Sequence, residues 1–90
     1  MEKVANYKAR LLVQELKEFK GSNTFSERTE NCYTVYSYGK HFPLFVCIGY
    51  KWYENKDRYS VSTSKHRSQL HPHVETEKCT TSFLKNLINS

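Results

Sequence analysis

The chain has 90 residues, with 14 Lys and Arg against nine Asp and Glu, and a net charge of +5 when the four histidines are neutral. That length makes a single small domain, residues 1–90, with a thin core. The charge favours an acidic partner, either nucleic acid or an acidic protein surface. An aromatic share of 14% is too high for a wholly disordered chain, and no run approaches the ~20 apolar residues of a membrane-spanning helix.

Residues 2 to 19 predict an amphipathic helix, with Ala5, Ala9, Leu12, Leu16 and Phe19 on one face and lysines and glutamates on the other. Leu12 and Leu16 are expected in the core. Gly21 then reads as a helix stop that needs a positive φ. Residues 21 to 31 are polar and predict a loop, pinned by Phe25.

Cys32 to Tyr38 alternates β-branched and aromatic residues with small polar ones, which predicts a strand. Gly39, Lys40 and His41 make a turn. Leu44 to Ile48 is a continuous apolar run and predicts a central strand, with Val46 and Ile48 in the core beside Val35. Gly49 and Tyr50 close a hairpin, with Lys51 to Glu54 returning; one longer strand with a bulge at Gly49 is the alternative. A polar turn at residues 55–58 leads to a short strand, Tyr59 to Thr63, and a single helical turn through Lys65, His66 and Arg67. His71-Pro72-His73 breaks the chain. A second helix follows within Thr76 to Ser90, capped by Thr80 or Thr81, with Phe83, Leu84, Leu87 and Ile88 on its apolar face. The predicted class is α+β: an N-terminal helix, a three- to four-stranded antiparallel meander and a short C-terminal helix, with the helices on one sheet face.

Cys32, Cys47 and Cys79 are an odd count without paired spacing, so free thiols are expected. No secretory leader is expected from the residues after Met1, and a cytoplasmic setting is expected. Zinc needs four convergent ligands, and His71, His73 and Cys79 lack the usual spacing, so no metal and no other cofactor is expected. Ser37, Ser60, Ser64 and Cys47 are candidate nucleophiles, with His41 and His66 as candidate bases, but no nucleophile elbow or cysteine-protease signature surrounds them. No catalytic residue is assigned.

Polar aromatics are dense between Tyr36 and Tyr59, and basic residues interleave with them. A small core cannot satisfy so many hydroxyls, so some rings are expected at the surface, where Tyr with Lys or Arg suits a protein interface or a single-stranded nucleic acid. The expected binding face comprises Tyr36, Tyr38, His41, Tyr59, Lys65 and His66, with Lys56 and Arg58 at its rim. Strand alternation is expected to put Tyr36 and Tyr38 on one face. The Ser62 to Gln69 segment is expected to be functional or to fix the fold through hydrogen bonds.

The segments Tyr36-Ser37-Tyr38-Gly39-Lys40-His41-Phe42-Pro43, Trp52-Tyr53-Glu54-Asn55, Tyr59-Ser60 and Thr63-Ser64-Lys65-His66, with Gln69 and Pro72, resemble a family of small bacteriophage proteins of unknown function. The resemblance covers the middle half of the chain and neither terminal helix. It implies a phage or prophage origin and a bacterial cytoplasmic setting, and implies no reaction. Small phage proteins without catalytic signatures often block a host machine. The leading expectation is therefore a non-enzymatic accessory protein that binds and blocks a host protein or nucleoprotein complex, a CRISPR-type defence complex being one such target. The alternatives are a small basic nucleic-acid-binding protein and, third, a hydrolase or nuclease built on His66 and His41.

Overall fold

A computed structural model describes residues 3–21, 23–57 and 61–89, with the side chains of residues 7 and 61–63 outside that description. The elements in chain order are α1 (Asn6–Gln14), β1 (Thr24–Arg28), β2 (Tyr33–Ser37), β3 (Pro43–Ile48), β4 (Lys51–Asn55), α2 (Val61–Leu70), β5 (Thr76–Cys79) and α3 (Thr81–Ile88). They form an α+β fold around one five-stranded sheet of order β1-β2-β3-β4-β5. The first four strands are antiparallel neighbours, and β5 lies parallel to β4. The expected antiparallel meander thus gains a strand at each edge, making the sheet mixed.

The β2–β3–β4 centre follows from its β-branched and aromatic residues. Gly49 and Tyr50 close the expected hairpin with φ of 57° and 67°. Two left-handed residues make a primed turn, whose twist matches that of the strands. Between β2 and β3 the register shifts: Val35 pairs with Phe45 and Tyr36 with Pro43, which leaves Leu44 as the extra residue of a bulge.

The expected loop over residues 21–31 contains β1. Its polar side chains serve the fold: Ser26 Oγ accepts the Phe19 N–H at 2.9 Å, and Thr24 donates to Asn6 Oδ1 at 2.7 Å. The segment before β1 covers its outer edge, with Ser26 N–H donating to the Phe19 carbonyl at 3.0 Å. Gly21 is a glycine because of close approach, since a Cβ there would lie 2.5 Å from both Asn6 Oδ1 and Thr24 Oγ1. The positive φ expected of it is not found.

The expected strand at Tyr59 to Thr63 is replaced at its end by α2, which begins at Val61 and extends the expected single turn to ten residues. A parallel β4–β5 pair needs a crossover, and α2 supplies it. Helix α1 is shorter than expected, and among its described side chains Asn6, Ala9 and Val13 are buried. Leu12 and Leu16 are only half-buried, as is Ile48, whereas Val35 and Val46 are fully buried.

The helices cover both faces of the sheet, not one. Ala9 and Val13 of α1 and Leu70 of α2 pack with Tyr33, Val35, Phe45, Cys47 and Trp52. On the other face, Leu84 of α3 packs with Val46, Cys32 and Cys79. Thr80 caps α3, its hydroxyl accepting the Phe83 N–H at 3.2 Å. All three cysteines are buried free thiols.

Candidate binding face

The end of β4 fixes α2, and α2 in turn places His66. Glu54 is 5% exposed and is surrounded by donors. Its Oε1 accepts from the Thr76 hydroxyl at 2.8 Å and from His71 Nε2 at 3.0 Å, while Lys78 Nζ lies at 3.7 Å and Arg67 Nε reaches Oε2 at 3.8 Å. His71 Nδ1 accepts the His73 N–H at 3.0 Å, so the ring proton sits on Nε2 and points at Glu54. Asn55 is fully buried: its Nδ2 donates to the Pro43 carbonyl at 2.7 Å, and its own carbonyl accepts from Arg67 Nη1 at 2.7 Å. Arg10 and Gln14 of α1 donate to the Ser68 and Pro72 carbonyls at 2.7 and 2.9 Å and tie the two helices together.

Held in this way, His66 is buried against the end of β2. Its Nδ1 lies 2.9 Å from Ser37 Oγ, and its ring is 5.4 Å from the Tyr38 ring. Burial, with a smaller contribution from Lys65, keeps the imidazole below its ordinary pKa. Ser37 is 0% exposed and His66 is 7% exposed, so the Ser37–His66 hydrogen bond is buried.

Tyr38 leaves the sheet with φ 65°, in the left-handed region that a bulky residue rarely adopts. Its N–H donates to the Asn23 carbonyl at 2.8 Å, and Asn23 is itself left-handed at φ 58°. The exchange turns the Tyr38 ring outward, 43% exposed, over a cleft of about 640 Å³. Lys3, Lys20, Gly21, Asn23, Thr24 and Phe25 form the rest of the lining.

The expected face is therefore reorganised. Tyr36 is 5% exposed and stacks on Phe25, with centroids 5.0 Å apart and planes at 24°; it is not a surface anchor. Burial, then the nearby Glu27 charge, pushes its phenol pKa up. Tyr36 and Tyr38 do not share a face, because β2 ends at Ser37 and the left-handed Tyr38 breaks the alternation. Tyr38 and His66 are brought together, and His41 packs over Gly39, where a Cβ would meet its Nδ1 at 3.1 Å. Lys65 is exposed next to His66. Lys56 is exposed but lies beside β5, its N–H donating to the Cys79 carbonyl at 2.8 Å. Arg58 and Tyr59 lie outside the described residues.

Sequence reasoning missed the cleft residues Lys3, Lys20 and Asn23. The one available signal was Phe25, an aromatic in a polar stretch. Among the described residues no group of three or more His, Cys, Asp and Glu is placed to hold a metal ion, and no helix is long and apolar enough to cross a membrane. No protein-family model, curated protein or solved structure matches the chain.

Proposed function

We propose that this chain is a non-enzymatic accessory protein of the bacteriophage type that binds and blocks a bacterial host factor, with the Tyr38 corner as its contact face. The observation that carries the reading is Tyr38 itself: a tyrosine held left-handed, 43% exposed and backed by a buried His66. Strained, rigid, partly exposed residues concentrate where a surface acts on something else, and Tyr is a frequent interface anchor. Exposed Lys3, Lys20 and Lys65 near this corner, with a net charge of +5, suit an acidic partner. A nucleoprotein such as a CRISPR-type defence complex has that character, and the bacterial cytoplasm is the corresponding location.

The test is affinity capture from the bacterial host with tagged wild type and Tyr38→Asn, a substitution that removes the ring and tolerates the backbone. A stoichiometric host protein should be retained by wild type, and Tyr38→Asn should weaken it by about 2 kcal/mol or more. Retention unchanged in a folded Tyr38→Asn variant would discard this face.

A further inference from the structure

We infer that the cleft beside Tyr38 is a nucleotide site, which takes a planar nucleobase against the rings of Phe25 and Tyr38 and the attached phosphate on Lys3 and Lys20. The inference rests on the Tyr38 corner being the working face, and it deepens that reading by naming the chemistry the corner accepts.

Four features support this ligand class. The cleft, at about 640 Å³, is in the size range of small-molecule sites and is mostly apolar with a few polar groups. Two aromatic side chains line it, and each is backed by a second ring: Phe25 by Tyr36 at 5.0 Å, Tyr38 by His66 at 5.4 Å. A backed ring is held in place before the ligand arrives, which favours stacking of a flat π system. Among the described residues the lining contains two lysines and no carboxylate, so the charge they select is negative. Finally, the floor is rigid. Gly21 lies where a Cβ would meet Asn6 and Thr24 at 2.5 Å, and the Asn23 carbonyl is held by the Tyr38 N–H at 2.8 Å.

An acidic peptide would satisfy the lysines but offers no plane to the two rings. A nucleoside phosphate satisfies both, and it has two sources: a free mononucleotide or one unit of a single strand. Two cations do not make the long phosphate track of a duplex-binding surface.

The experiment is an amide NMR titration of the full chain with AMP, TMP and oligothymidylate, with adenosine, inorganic phosphate and oligoglutamate as partial ligands. Saturable shifts are expected at Lys20, Gly21, Asn23, Thr24, Phe25 and Tyr38. Adenosine and phosphate alone should bind at least about tenfold more weakly than AMP. Phe25→Leu, and separately Lys3→Gln with Lys20→Gln, should each weaken AMP by about tenfold in a protein whose remaining spectrum is unchanged. The lysine variants lie on the surface and keep the test valid if Phe25→Leu fails to fold. Oligothymidylate binding much tighter than TMP identifies the source as a strand; equal affinities identify a mononucleotide. No saturable shift with any nucleotide, shifts confined to other residues, or oligoglutamate binding as tightly as AMP would overturn the inference. If nucleotides move nothing while Tyr38→Asn still abolishes host-factor capture, the cleft inference falls and the binding reading stands. If AMP binds and capture ignores Tyr38, the opposite holds.

Discussion

His66 gives the domain a stability that depends on pH. Its pKa is depressed from 6.5 in the folded protein, first by burial and then by Lys65. The unfolded chain therefore takes up the proton first as pH falls, and each such proton favours unfolding. Its contribution is fully present above about pH 6.5 and declines below that value, towards the lower folded pKa. Thermal unfolding of wild type should accordingly lose more stability between neutral and mildly acidic pH than His66→Gln does; parallel pH profiles would contradict this. His66→Gln should also be less stable than wild type at neutral pH, because the 2.9 Å contact between His66 and Ser37 in a buried site is lost. For the expectation that His66 either fixes the fold or binds a partner, the geometry supplies a buried contact to Ser37 at 2.9 Å beside the Tyr38 ring, and the two measurements above distinguish the roles. Sequence spacing cannot reveal that Tyr36 is buried and Tyr38 exposed, because alternation holds only within the strand and the left-handed Tyr38 lies just past its end.

At the scale of elements, β2, β3, β4 and α3 are legible in the sequence, and β1 and α2 are not. The reason is the same for both. Helix α2 turns His66, Arg67 and Leu70 towards the sheet, so only one of those inward residues is apolar and no hydrophobic stripe marks it. Strand β1 buries Thr24 and Ser26, whose hydroxyls are committed to Asn6 and Phe19. Polar contacts at long sequence separation leave no periodic trace. The cluster around Glu54 gathers several of them, and it binds α2 and β5 to β4. Glu54→Ala should leave Arg67 and His71 without their carboxylate and cost about 3 kcal/mol in urea unfolding. A change below about 0.5 kcal/mol, the level of an ordinary surface substitution, would show that the cluster is not a structural tie.

The whole molecule is a single sheet between two separate apolar layers. Val13 belongs to the layer under α1 and α2, and Val46 to the layer under α3; both are 0% exposed. Val13→Ala and Val46→Ala should each cost about 2 kcal/mol. Because the sheet separates the sites, the double variant should lose the sum to within about 0.5 kcal/mol. Denaturant unfolding of the two single variants and the double variant measures this, and a coupling well above that margin would mean that the layers act as one.

The parallel placement of β5 also sets an order of assembly. Strands β1 to β4 join neighbours through short connections, and such local pairings form early. The groups around Glu54 come from Arg67, His71, Thr76 and Lys78, all of them later in the sequence, and Asn55, already bonded to the Pro43 carbonyl, gains Arg67 and Thr81 from the same later stretch. During synthesis the meander therefore emerges with an unneutralised carboxylate at the end of its fourth strand. Enclosure of that charge waits for the crossover helix and the fifth strand, which follow it in the chain.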